Sequence, residues 1–160
     1  RLHLIENQEA YGENYRSPTR VGKSPKRHLT DPSLSCACLG LTPENILKDL
    51  NTFGFMFEAL VERDLRIYMD YLDGHLYHFR DNVSGLEVDA ILEFQSGNYA
   101  AVEIKLGYNQ VEEAKKNLLN FYNNMIKKPA FMCIIAGKCP AVIKDNETGI
   151  YIVPITALKP

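Results

Sequence analysis

Apolar residues recur at helical spacing in two long stretches of the chain. Phe57, Leu60, Val61, Leu65, Tyr68 and Leu72 fall on one face of a helix predicted over residues 54–72. Val111, Ala114, Leu118, Phe121, Tyr122 and Met125 give a second amphipathic helix. Asn109 would cap it, with Glu112 three residues on as the capping-box partner. Between the two helices the period changes to two. Residues 87–92 and 101–106 read as β-strands, and Gln95-Ser96-Gly97-Asn98 as the tight turn that joins them. Residues 130–136 form a nearly continuous apolar run, the pattern of a strand buried on both faces. Runs at 141–143 and 150–155 flank the turn-rich Asp145-Asn146-Glu147-Thr148-Gly149. Earlier in the chain, residues 31–41 read as a short helix. Thr42 caps another, with Pro43 at its first position, Glu44 in its first turn, and Ile46, Leu47 and Leu50 as its apolar face. Residues 1–30 are polar and punctuated by proline. They read as a linker or the tail of a preceding domain, leaving 31–160 as one domain. No internal repeat appears. The order of elements predicts an α/β fold, a central mixed β-sheet flanked by helices.

The 87–106 hairpin carries the candidate chemistry. A three-residue loop ending in a left-handed glycine pairs Phe94 with Asn98 and, counting back, Asp89 with Glu103. Side chains alternate along a strand. Glu103 and Lys105 therefore share one face, as do Glu87, Asp89 and Ile91, with Val88, Ala90 and Leu92 opposite. Directly paired residues have Cβ atoms roughly 4.5–5.5 Å apart. Two carboxylates that close repel unless a cation lies between them. A hard divalent ion, Mg2+ or Mn2+, resolves the conflict, which makes Asp89 and Glu103 candidate metal ligands. Lys105, further along the same face, is placed to touch a scissile phosphate or the attacking water. A plainer reading also holds: Glu-x-Lys is a common stabilising pair, and Lys105 could simply neutralise the two carboxylates. Glu58, beside the first helical stripe, is a candidate to reach the site from the helix or a member of a solvated ladder with Glu62 and Arg66. Gln110 could orient a water or a phosphate, or merely start the second helix.

The order helix, strand, strand with Asp89, strand with Glu103-Ile104-Lys105, helix resembles the core of the PD-(D/E)XK nuclease superfamily, the restriction-endonuclease-like fold. A longer set of motifs is similar to a family of uncharacterised domains at the C-terminus of predicted bacterial and archaeal AAA-type ATPases. The set is Lys23-Ser24-Pro25-Lys26-Arg27-His28-Leu29-Thr30-Asp31-Pro32-Ser33-Leu34, Gly54-x-x-Phe57-Glu58-x-x-Val61, Tyr77-x-Phe79-Arg80, Glu87-Val88-Asp89 and Val102-Glu103-Ile104-Lys105. The resemblance runs from about Gly22 to the end of the chain. It implies that Asp89 and Glu103 bind the metal, that Lys105 assists the chemistry and that Glu58 completes the site. Val88 stands where the superfamily's name has proline. The resemblance further implies phosphodiester hydrolysis on nucleic acid, an ATPase region in the same polypeptide and the pairing of subunits. The alternative is a catalytically silent module that binds nucleic acid or a protein partner and regulates the ATPase.

Composition narrows these readings. The chain has 160 residues, 46% of them hydrophobic, and a net charge of -2. It is not basic overall, so nucleic-acid contact would need a local patch. Lys23, Lys26, Arg27 and His28 supply the best one, with Arg80 as a further contact. Lys115, Lys116, Lys127 and Lys128 suit a solvated helix face. No apolar run approaches the roughly 20 residues of a membrane span, and no signal peptide is visible. The four cysteines lack zinc-ligand spacing and read as free thiols in a reducing cytoplasm. Gly22-Lys23-Ser24 imitates the end of a P-loop. Position 17 is Ser17, no apolar strand precedes it and Pro25 follows, so no ATP site is expected. The chain opens on Arg1 and reads as a fragment of something longer.

Overall fold

A six-stranded mixed sheet in the order β3-β4-β5-β6-β8-β7 forms the centre of the protein. The computed structural model describes residues 4–13 and 24–159. Its strands are β1 (Ile5–Gln8), β2 (Lys26–Leu29), β3 (His75–Arg80), β4 (Glu87–Glu93), β5 (Tyr99–Lys105), β6 (Phe131–Ala136), β7 (Ile143–Lys144) and β8 (Tyr151–Pro154). Its helices are α1 (Pro32–Cys38), α2 (Pro43–Ile46), α3 (Leu50–Tyr71) and α4 (Val111–Asn124). Strands β3, β4 and β5 run antiparallel, β6 and β8 continue the sheet parallel to β5, and β7 turns back along β8. The α/β architecture expected from the sequence is the one observed.

The two long helices cover opposite faces of the sheet. On one, Phe57, Val61, Leu65 and Met69 of α3 pack on Ala90, Leu92, Ala100, Val102 and Ile104. On the other, Val111, Ala114, Leu118 and Phe121 of α4 pack on Ile91, Tyr99, Ala101 and Ile134. Helix α3 begins earlier than its apolar stripe predicts because Asp49 caps it, accepting from the Thr52 N–H at 3.1 Å. Met69 closes the buried stripe, and Leu72, expected there, is exposed. Helix α2 spans only 4 residues. That is too short to present an apolar face, and Leu47 and Leu50 lie exposed instead.

The β4–β5 turn follows the expected geometry. Gly97 has φ 75°, the Phe94 N–H donates to the Asn98 carbonyl at 2.9 Å, and the register runs from Glu93–Tyr99 to Ala90–Val102. The alternation of faces in β4 needs correcting. Tyr77 pairs with Ile91 and Phe79 with Val88, so β4 carries one extra residue against β3. This bulge at Asp89 and Ala90 puts Val88 on the α4 side with Ile91, and Ala90 on the α3 side. The start of α4 also differs. A 3-10 turn, Tyr108–Gln110, precedes it, and the Gln110 side chain accepts from the Gly107 N–H at 3.1 Å. Asn109 therefore lies inside the turn and does not cap the helix, and Glu112 bonds Lys115 at 2.8 Å in place of a capping box.

The stretch expected to be a linker carries strands. β1 and β2 form an antiparallel hairpin. The chain beyond β1 then joins the edge of β3 through a parallel bridge between Ala10 and His78. Gln8, Ala10 and Tyr11 are buried. The hairpin protects an edge strand that would otherwise expose unpaired backbone groups. Its inward face is polar, Glu6 and Gln8 paired across from His28 and Lys26, which is why no apolar alternation announces it. Among the described residues, no helix is long and apolar enough to cross a membrane.

Candidate functional site

Asp89 and Glu103 meet at Lys105. The Lys105 ammonium lies 2.7 Å from Glu103 Oε2 and 3.4 Å from Asp89 Oδ2. Two features of the strands produce this. The β4 bulge turns the Asp89 carboxylate toward β5, where Oδ2 also accepts from the Ile104 N–H at 2.8 Å. A side chain thus takes an N–H that would otherwise extend the β4–β5 ladder beyond Ala90–Val102. Glu103 is positioned from the other side. The Asn117 amide on α4 donates to Glu103 Oε1 at 2.7 Å and to the Glu87 carbonyl at 2.6 Å. Sequence reading missed Asn117. It sits at the edge of the buried α4 stripe, one residue before Leu118, and a polar residue there is the signal that could have found it.

Glu103 is 2% exposed. Burial, and then the Asp89 charge, push its carboxyl up to about 7 against the pull of Lys105 and Asn117. Lys105 is also partly buried, which opposes its charge, yet Asp89 and Glu103 raise it above the usual lysine range. A carboxyl raised from 4.5 to about 7 favours the folded state where it is protonated. That stability is full below the unfolded value and is lost as pH rises through about 7. The metal-free wild type is therefore expected to lose about 1–3 kcal/mol relative to Glu103→Gln between pH 4.5 and 8. Denaturant melts across that range would show it, and parallel curves for the two proteins would refute the assignment.

An open cavity of about 470 Å3 lies before Glu103 and Lys105. Gln110, Glu113, Lys116 and Asn117 supply much of its wall. Gln110 thus borders the site as expected, although its side chain bonds back to Gly107. Glu58 is not brought to it. It pairs with Lys26 at 3.0 Å, a lysine that also lies within reach of the Asp89 charge. The expected ladder of Glu58, Glu62 and Arg66 is answered by the N-terminal hairpin: Lys26 bonds Glu58, His28 Nδ1 lies 2.9 Å from Glu62, and Arg66 reaches Glu6 at 2.5 Å.

The proposed nucleic-acid contacts divide. Lys26 and His28 turn inward to these acids, and Arg80 pairs with Glu87 across the strands at 2.9 Å. Arg27 is exposed on the other face of the hairpin. Lys23 lies outside the described residues. Of the lysines expected to be solvated, Lys115 bonds Asp145 and Glu112, and Lys127 and Lys128 reach backbone carbonyls of Gly97 and Tyr122. Lys116 is exposed and borders the cavity. The four cysteines are unpaired.

The donor set suits a hard cation. Magnesium is commonly held by one or two carboxylates and keeps several waters; Asp89 and Glu103 present two around Lys105, and Glu103 lines the polar cavity. No third His, Cys, Asp or Glu joins them among the described residues. In the arrangement observed, Lys105 supplies the neutralising charge.

Comparison with curated proteins and with solved structures returned no match. Residues 53–158 match a family described as a domain of unknown function, DUF4143. That span holds α4, all six strands of the main sheet and most of α3, and so contains Asp89, Glu103, Lys105 and Asn117. On this match the chain belongs to the DUF4143 family.

Proposed function

We propose that this domain hydrolyses phosphodiester bonds of nucleic acid with a divalent metal, as the nuclease-like part of a larger AAA-type ATPase. The observation that supports this reading is the convergence of Asp89 and Glu103 on Lys105, with Glu103 and Lys105 lining a polar cavity. Asp89 and Glu103 would hold Mg2+ or Mn2+. When bound, the ion would offset charge on the phosphoryl oxygens and lower the pKa of the attacking water. With the carboxylates so occupied, Lys105 is released to stabilise charge developing on the phosphate, a role worth a few kcal/mol. Asn117 keeps Glu103 oriented throughout. Lys116 is exposed beside the cavity and suits a phosphate contact.

A second reading has its own observation. Lys105 already neutralises the pair, and no third ligand joins it among the described residues. The site would then be a silent remnant in a module that binds nucleic acid or protein and regulates the ATPase. Linear, circular, single-stranded and branched nucleic acids incubated with Mg2+ or Mn2+ separate the two. Cleavage that chelation stops is the expected result. Absence of both cleavage and manganese binding would favour the silent module.

A further inference from the structure

We propose that Gln8 is a positioning residue for Asp89, holding the β4 bulge in the shape that aims the carboxylate at Lys105. Gln8 is fully buried. Its Nε2 donates to the Tyr77 carbonyl at 2.9 Å and to the Asp89 carbonyl at 3.0 Å. Tyr77 is the last paired residue of β3 before the register shift, and Asp89 lies in the β4 bulge without a β3 partner. A buried carbonyl without a donor is costly, because it has given up water and gained nothing in return. The bulge is therefore stable in this form because one amide bridges both strands.

The orientation of that amide follows from its partners. Two carbonyls can be served only by the nitrogen, so Oε1 faces His28 Nε2, 3.2 Å away. An amide oxygen only accepts, so Nε2 of His28 carries a hydrogen. His28 Nδ1 in turn lies 2.9 Å from Glu62 Oε2. The sequence of partners is Glu62 on α3, His28 on β2, Gln8 on β1 and Asp89 on β4. It reaches the site at the Asp89 carbonyl. Gln8 and His28 both precede residues 53–158. The hairpin thus completes a site whose candidate ligands lie in the family domain. Asn117 holds Glu103 by the same device, one amide bridging a carboxylate and a backbone carbonyl.

The effect of Gln8 on metal affinity rests on the proposed reading of Asp89 as a ligand, whereas its effect on the bulge does not. The test uses the full chain and two readouts. Gln8→Met keeps the volume and removes the donors. The Ile104 amide, which donates to Asp89, is expected to exchange with solvent about 10-fold faster or more, while the Leu118 amide keeps its protection. Manganese binding, followed by electron paramagnetic resonance, is expected to weaken about 10- to 100-fold. Arg66→Ala, which loosens the hairpin through Glu6 without touching Gln8, should leave both unchanged. If Gln8→Met does not fold, His28→Leu removes the donor to Gln8 and is read the same way. Unchanged Ile104 exchange in a folded Gln8 variant, or an equal change in Arg66→Ala, would overturn the proposal. A wild type that binds no manganese would sink the metal reading alone, since Ile104 exchange still decides the role of Gln8.

Discussion

Replacing Asp89 with alanine is expected to abolish metal-dependent cleavage and leave the fold standing. The carboxylate makes one hydrogen bond to a backbone N–H and one longer contact to Lys105. A hydrogen bond of this kind contributes about 0.5–1.5 kcal/mol, against roughly 5–15 kcal/mol for a whole domain. Its loss also removes the charge that pushes Glu103 upward, a partial compensation. Activity has no such cushion, because one of only two candidate ligands is gone. A fall on the order of 10^3-fold or more is expected, and Glu103→Ala should match it. Lys105→Ala separates the two functional readings. If Lys105 stabilises a developing charge, its loss costs on the order of 10^2- to 10^3-fold in rate. The stability lost with it, from two carboxylates left without their cation, should return on adding Mn2+. In a silent module the same variant loses stability that Mn2+ does not restore. Rates and melting temperatures with and without Mn2+ decide the matter, and cleavage that persists in Asp89→Ala would rule the site out.

Much of the sheet was legible because its strands obey local rules. Gly97 fixes the β4–β5 turn, and the turn fixes the register as far as Ala90–Val102, one pair short of Asp89 and Glu103. The apolar stripes of α3 and α4 then show which faces they cover. What failed to show was structure held by polar groups. The β1–β2 hairpin buries Gln8 and turns Lys26 and His28 onto Glu58 and Glu62, so its sequence looks solvated. Glu58 was a reasonable candidate by its place on α3. Its cation, however, comes from a strand whose existence the sequence does not signal. The bulge at Asp89 was invisible for a related reason. It is closed by Gln8 from 81 positions away, and nothing local to Val88-Asp89-Ala90 requires it. Asn117 lay between these extremes, a polar residue bordering an apolar stripe, legible as unusual though not as a partner of Glu103.

Phe121→Ala is expected to cost the fold more than any change at the site. Phe121 is fully buried on the inner face of α4. It meets Phe79 edge-on with ring centroids 5.0 Å apart, and Tyr99 at 6.4 Å. Deleting such a ring removes its transfer energy and leaves a cavity, typically about 3–5 kcal/mol. The two aromatic contacts add to this, at about 0.5–1.5 kcal/mol each. For a chain of this size 1 kcal/mol lowers the melting temperature by roughly 2–4 °C, so a fall of about 8–30 °C should be seen. The consequence reaches the site. Asn117 lies one helical turn before Phe121, so a helix that sits less firmly on the sheet also holds Glu103 less firmly. Phe121→Leu keeps most of the volume and should recover most of the stability. If Phe121→Ala melts within 2 °C of wild type, α4 is held instead by its polar contacts, Asn117 to Glu87 and Glu103 and Lys115 to Asp145. The ring would then be packing without consequence for the position of Glu103.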